Sequence, residues 1–280
     1  MIEQILKIIV QEKKLQGNSK SLIRNYLKEY IQYLVLSLLY NQKKMKNLVF
    51  KGGSCLRICY ELPRLSEDLD FDYDEKKLGK NILGELDEYL KKEIKMKYYS
   101  ELETKIQATM RLYLKFPFLK SLGLSNESES DKLYVKIETT NELIPFANYT
   151  LTPISKYGFN FVVNHYDLSS LMSGKINALL FRVWFKESED KEDQIDIKGR
   201  DFYDLFWFLQ KGIEPNWKML KKTAGIKNNK ELKEILMKRI KKVVTPQKLS
   251  YDLKNFINDN QFVEDFSKNY LIIINNLLNK

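Results

Sequence analysis

Histidine and cysteine are nearly absent from this chain: His165 is the only histidine, and Cys55 and Cys59 are the only thiols in 280 residues. No further thiol exists to complete a soft-metal site. That scarcity argues against zinc coordination and against a cysteine–histidine or serine–histidine catalytic pair. The thiols are expected to be buried and reduced. His165, in Val163-Asn164-His165-Tyr166-Asp167, is expected to be structural or on the surface. Six prolines and eleven glycines leave little room for long flexible linkers. Long apolar runs are missing too: residues 31–40 are too short and too interrupted to span a bilayer and read as a buried helix. Met1-Ile2-Glu3-Gln4 is not a charged segment leading into a cleavable apolar stretch, so no secretory signal is expected and a cytoplasmic location is.

What is present is apolar enough for a substantial core. Hydrophobic residues make up 44% of the chain and aromatics 12%, which excludes disorder and suggests one large domain or two modest ones. The net charge of +10 is unevenly placed. Between Lys211 and Lys254, thirteen Lys and Arg face four acids (Glu214, Glu231, Glu234, Asp252), a surplus of nine, and the remainder is close to neutral. Such a concentration points to a polyanion-facing surface, with Trp207, Trp217, Tyr251 and Phe256 interleaved.

Apolar spacing predicts helices around residues 5–10 and over 21–42, then a short strand at 48–51 running into Gly52-Gly53. A helix over 54–60 stops near Pro63, followed by a strand at 68–73 and a charged helix over 78–97. Further strands are expected at 109–116, 132–139 and 160–163. From Leu168 the period is helical throughout, over 168–185, 200–210, 217–224, 229–242, 250–258 and 262–279. The pattern predicts an α/β (α+β) fold in which a mixed-sheet N-terminal lobe, 1–165, precedes an all-helical lobe, 166–280.

The chemistry concentrates in a few segments. Gly52-Gly53-Ser54 is a small-residue turn opening a helix, whose backbone N–H groups suit a phosphate. Downstream, Asp68 and Asp70 alternate with Leu69 and Phe71, so both carboxylates face one way and the apolar side chains the other. Paired carboxylates repel unless a cation lies between them, and hard oxygen donors suit Mg²⁺. Asp72 and Asp74 continue the alternation and are expected to be solvated strand-end charges. In Leu133-Tyr134-Val135-Lys136-Ile137-Glu138, the polar face offers Glu138 as a third carboxylate if the two strands are neighbours. Lys175 shares a helical stripe with Leu179 and Arg182. A cation near a helix start is disfavoured by the dipole, so either triphosphate neutralisation or snorkelling explains it. Asp201 falls in the first turn of the helix at 200–210, with Asp204 expected to pair with Arg200 at helical spacing.

Taken in order, Phe50-Lys51-Gly52-Gly53-Ser54-Cys55-Leu56, Arg64-Leu65-Ser66-Glu67-Asp68-Leu69-Asp70-Phe71, Lys136-Ile137-Glu138, Lys175 with Ala178, Leu179 and Arg182, and Arg200-Asp201-Phe202-Tyr203-Asp204-Leu205 resemble the AbiEii-type nucleotidyltransferase toxins. These include the MenT group and belong to the DNA polymerase β-like nucleotidyltransferase superfamily. The likeness runs over about residues 50–208. It implies Asp68, Asp70, Lys175 and Asp201 as catalytic residues. It also implies nucleotide contacts from Gly52, Gly53, Ser54, Ser66, Lys175 and Arg182, and a metal (Mg²⁺, with Mn²⁺ as the alternative) on Asp68, Asp70 and Glu138. The implied substrate is an NTP, the acceptor an RNA and specifically the tRNA 3′ end, and the partner a cognate antitoxin, with no membrane involved. Two rival readings stand beside it: transfer to a protein or small molecule, and a non-catalytic RNA- or antitoxin-binding module. Residues 212–280 match no motif, although their basic surplus suits an RNA acceptor.

Overall fold

A computed structural model describes residues 2–108, 110–182, 186–187, 194–195 and 197–279. Thr109 and residues 183–185, within the strand and helix expected at 109–116 and 168–185, lie outside the described residues. The chain divides into two compact units, Met1–Leu143 with Tyr149–Tyr166, and Ile144–Asn148 with Asp167–Lys280.

The first unit runs α1 (Ile2–Leu15), α2 (Lys20–Asn41), β1 (Val49–Lys51), α3 (Gly52–Tyr60), β2 (Asp68–Asp72), α4 (Glu75–Leu78), α5 (Ile82–Lys97), β3 (Glu103–Gln107), β4 (Arg111–Pro117), β5 (Lys132–Thr140), β6 (Tyr149–Lys156) and β7 (Phe159–Tyr166). Its strands form one mixed seven-stranded sheet in the order β3-β4-β5-β2-β1-β7-β6. β2 lies between β1, antiparallel, and β5, parallel. The alternation read from sequence holds: Leu69 and Phe71 are fully buried, as are Val135 and Ile137 on β5. α2 packs on β5 and β7, burying Ile31, Leu34, Val35, Leu36 and Leu39 completely. The apolar run at 31–40 is therefore a core helix, which Ser19 caps by accepting from the Leu22 N–H. The charged helix expected over 78–97 is two helices, because Gly79 (φ +84) ends α4.

Two strands carry too weak a pattern to be read in advance. β3 and β6 form the edges of the sheet, and an edge strand buries little. β6 leaves Tyr149 and Leu151 exposed and contains Pro153, which an edge tolerates because no neighbour requires its N–H. Tyr157 and Gly158, both with positive φ, make the tight turn joining β6 to β7. A buried glutamate fastens the helices to this edge: Glu29 on α2 accepts from Arg57 Nε at 2.8 Å and Lys156 Nζ at 3.2 Å. Burial pushes the Glu29 carboxyl up, but the two cations outweigh it and hold it below the usual glutamate value.

Asp72 and Asp74 depart from expectation. Asp72 is wholly buried rather than solvated, paired with Lys51 Nζ and accepting from Tyr166 Oη at 2.8 Å. The strand end is covered, so the carboxylate had to acquire partners. Burial still lifts it above the ordinary aspartate range. Asp74 caps α4, accepting from the Lys76 N–H at 3.0 Å.

The second unit contains α6 (Leu168–Phe181), the two-residue strands β8 (Lys186–Glu187) and β9 (Gln194–Ile195), then α7 (Gly199–Gln210), α8 (Trp217–Ala224), α9 (Asn229–Val243), α10 (Pro246–Leu253) and α11 (Asn260–Leu277). The antiparallel β8–β9 pair interrupts what was expected to be helix alone. α10 begins at Pro246, with Thr245 as its cap, rather than at 250, a proline-at-first-turn signal that periodicity overlooks. Phe202 and Tyr203 of α7 pack edge-on against Tyr270 and Phe266 of α11. The Tyr270 hydroxyl donates to the Phe202 carbonyl at 3.0 Å. Among the described residues no helix is long and apolar enough to cross a membrane.

Candidate active site

β2 and β5 run side by side with Asp68 opposite Lys136 and Asp70 opposite Glu138. The two aspartates and the glutamate therefore share one face of neighbouring strands, as sequence alternation required. A cation already stands among them. Lys136 Nζ lies 3.0 Å from Asp68 Oδ2 and 2.9 Å from Glu138 Oε1, and Arg111 Nε lies 2.9 Å from Glu138 Oε1. Burial pushes the Glu138 carboxyl up, yet Lys136 and Arg111 prevail and keep it below its ordinary value. Lys136 responds in the complementary sense: burial lowers it, while Asp68 and Glu138 raise it further. The ammonium bridges two half-buried carboxylates, whose hard oxygen donors are of the type a divalent cation takes.

The glycine turn abuts this face. A Cβ placed on Gly52 would lie 2.2 Å from Asp70 Oδ2, and Gly52 has φ +79. A Cβ on Gly53 would lie 2.8 Å from Ser66 Oγ and 2.7 Å from an Arg64 guanidinium nitrogen. Gly52, Gly53, Ser66 and Asp70 are thus brought together at the start of α3. Lys51, the residue before that helix, makes no side-chain capping bond. Ser54 is fully buried, with its hydroxyl donated to the Asp68 carbonyl, so what it can offer a phosphate is its backbone N–H. Gly52→Ala should cost about 1–3 kcal/mol, through positive-φ strain and displacement of Asp70. Urea unfolding measures the loss, and a variant as stable as the native chain would contradict the close approach.

In the second unit, Lys175 of α6 and Asp201 of α7 are ion-paired, a contact their spacing did not establish. Lys175 Nζ lies 2.8 Å from Asp201 Oδ1 and 2.7 Å from Asp204 Oδ2, and Arg182 also pairs with Asp201. Asp204 is fully buried. Arg200, expected to pair with Asp204, also reaches Asp252 of α10, donating from its backbone N at 2.9 Å, and lies over the Phe256 ring at 3.8 Å. Along α7, Asp204 reaches Lys175 of α6 and Arg200 reaches Asp252 of α10. Burial raises the Asp201 carboxyl, but Lys175, Arg182 and Lys198 outweigh burial and hold it far below the usual carboxylate range.

Sequence reasoning did not assign Lys136, Arg111 or Arg64 to the site. Arg64 is almost completely buried and donates to the Leu65 carbonyl at 2.8 Å. A buried arginine so close to a glycine turn is a signal in hindsight, because arginine is seldom buried without an anion or several acceptors. Lys136 could be recognised only once the strand register was known.

The family described as nucleotidyl transferase AbiEii toxin, type IV toxin–antitoxin system, matches residues 34–277. Among solved structures, a candidate nucleotidyltransferase from H. pylori is similar at 18% identity and a TM-score of 0.47, over 90% of this chain and 93% of that one. JHP933 from Helicobacter pylori is similar at 18% identity and a TM-score of 0.46, over 91% of this chain and 92% of that one. No curated protein matches significantly. With nearly its whole length from α2 to the end of α11 matched, this chain belongs to the AbiEii family of type IV toxin–antitoxin nucleotidyltransferases.

Proposed function

We propose that the chain transfers a nucleotide from an NTP to the 3′ end of tRNA in a Mg²⁺-dependent reaction. The observation that carries this reading is the array of Asp68, Asp70 and Glu138 on adjacent strands, set against a glycine turn that leaves no room for a side chain. Residues 1–165 are assigned as the nucleotidyltransferase domain and 166–280 as the helical domain. The location assigned is the cytoplasm, where NTP, tRNA and a cognate antitoxin would all be met.

Asp68, Asp70 and Glu138 are the residues that would hold the metal (Mn²⁺ being the alternative), which when bound supplies charge neutralisation and polarisation at the phosphates. Lys136 would release its carboxylates as the ion enters. The N–H groups of Gly53 and Ser54 receive phosphate oxygens, with Gly52 and Ser66 shaping the turn. Lys175 and Arg182 are assigned to the triphosphate on the family resemblance, and within the second unit Asp201 pairs with both. An acceptor hydroxyl attacks the α-phosphorus, the bond to the bridging oxygen breaks, and pyrophosphate leaves; positioning and electrostatics supply most of the rate. Glu138 either completes the metal site or accepts the proton of the attacking hydroxyl.

The acceptor reading draws on the basic surplus of residues 211–254. Lys218, Lys221, Lys222, Lys230, Lys238, Lys241 and Lys242 are exposed, while Met219, Leu220, Leu232, Leu236, Ile240 and Val243 face inward. The aromatics expected to interleave contribute less, since Trp207 and Phe256 are buried. Intact-mass analysis of total tRNA after incubation with each NTP and Mg²⁺ tests the proposal. The expected result is a mass gain of one or more nucleotides at the 3′ end, abolished by a chelator. Label appearing only in protein or small-molecule pools, or transfer indifferent to chelation, would overturn it.

A further inference from the structure

We infer that Cys55, Cys59 and His165 form a second cation site, one for a zinc-class transition metal rather than for the hard ion of the carboxylate strands. The two sulfurs and the imidazole donor lie within 4.8 Å of one another. They are brought together by fold, not by sequence: the cysteines stand one turn apart on α3, and β7 pairs with β1 so that His165 is opposite Phe50. Cys55 and His165 are buried, while Cys59 is half-buried and gives the approach.

Three features of the cluster favour a metal. Zn²⁺ bonds of about 2.3 Å to sulfur and about 2.0–2.1 Å to nitrogen put tetrahedral donors roughly 3.5–3.8 Å apart. Binding would draw the donors into that range from separations of up to 4.8 Å. A disulfide is excluded by the helix, since residues four apart hold their Cβ atoms about 5–6 Å from each other and a disulfide needs about 3.5–4.5 Å. The histidine is also in the orientation a ligand requires. Its Nδ1 lies 2.9 Å from the Tyr166 carbonyl oxygen, which can only accept, so Nδ1 carries the proton and Nε2 keeps its lone pair. Thr152 Oγ1, 2.8 Å from Nε2, donates its hydroxyl to that lone pair, a hydrogen bond that binding would exchange for the N–metal bond, leaving the fourth position to water. Two thiolates and one imidazole are soft to borderline donors, which select Zn²⁺ over Mg²⁺. On binding, the two thiol protons leave to solvent and two S–metal bonds form. The ion would tie the last turns of α3 to β7, within the helix whose first turn carries Gly53 and Ser54. None of this depends on the nucleotide-transfer reading.

The test uses the reduced full-length chain after chelator treatment, titrated with Co²⁺ as a spectroscopic probe. One equivalent should produce a thiolate-to-cobalt charge-transfer band and tetrahedral ligand-field absorption, both bleached by Zn²⁺ and unaffected by Mg²⁺. Cys59→Ser and His165→Gln should each weaken Zn²⁺ binding at least about a hundredfold, while Asp70→Asn should leave the cobalt spectrum intact. Zn²⁺ should also slow alkylation of the native thiols at least about tenfold, a readout that needs no variant to fold. The proposal fails if the cobalt spectrum is featureless, if it survives Cys59→Ser, if it vanishes in a folded Asp70→Asn chain, or if Zn²⁺ leaves the alkylation rate unchanged.

Discussion

Asp70→Ala should lower the rate of nucleotide transfer by roughly a thousandfold or more and leave the chain folded. The magnitude follows from position. Asp70 shares a face with Asp68 and stands opposite Glu138, and its carboxylate lies where any side chain on Gly52 would collide with it. A metal that loses one of two adjacent aspartates loses both affinity and alignment, and phosphoryl chemistry depends on alignment for most of its rate. The fold should tolerate the change because Asp70 is half-exposed, with Leu69 and Phe71 supplying the packing of β2. Incorporation of labelled nucleotide, measured beside a thermal melt, checks both halves. Native-level incorporation by a folded variant would remove Asp70 from the site.

Lys175→Met should destabilise the protein by about 3–5 kcal/mol, because it removes the shared cation of two buried carboxylates. Asp201 and Asp204 are, respectively, 4% and 0% exposed at the side chain, so neither can be rehydrated without opening the helix pair. Urea denaturation reads the loss, and a cost below about 1 kcal/mol would mean that the network contributes little. The same cluster sets an acid limit. Asp201 has its folded-state pKa depressed, so its contribution is complete above the unfolded value of about 3.9 and is lost as the pH falls toward the folded one. Stability measured from neutral pH downward should therefore hold to about pH 4 and then decline, with a smaller amplitude in Lys175→Met. Lys175→Arg keeps the charge and should recover much of the stability. Activity compared between these two variants separates the structural role of the cation from contact with the triphosphate.

These features were unequally legible in the sequence. Alternation in Asp68–Asp72 and the small-residue turn before α3 announce themselves locally, because a strand's faces and a helix start are properties of consecutive residues. The helices from Leu168 onward were readable for the same reason, to within a few residues at their ends. What escaped was everything set by pairing between distant segments. Lys136 enters the acidic face because β5 happens to align Lys136 with Asp68, a register no single strand encodes. Asp204 meets Lys175 because α7 packs against α6, and Asp72 is buried because of what covers its strand end. The thiols and the histidine look inert when counted, since two cysteines and one histidine suggest no site. Only the parallel pairing of β7 with β1 makes neighbours of residues 106 positions apart.

Lys136 has one more effect on how this enzyme behaves. By lodging its own ammonium between Asp68 and Glu138, the protein carries an internal counterion that quiets the repulsion of its acidic strands. On the proposed Mg²⁺ dependence, folding and ion loading are thereby uncoupled: the metal-free chain should melt as the loaded one does while transferring no nucleotide.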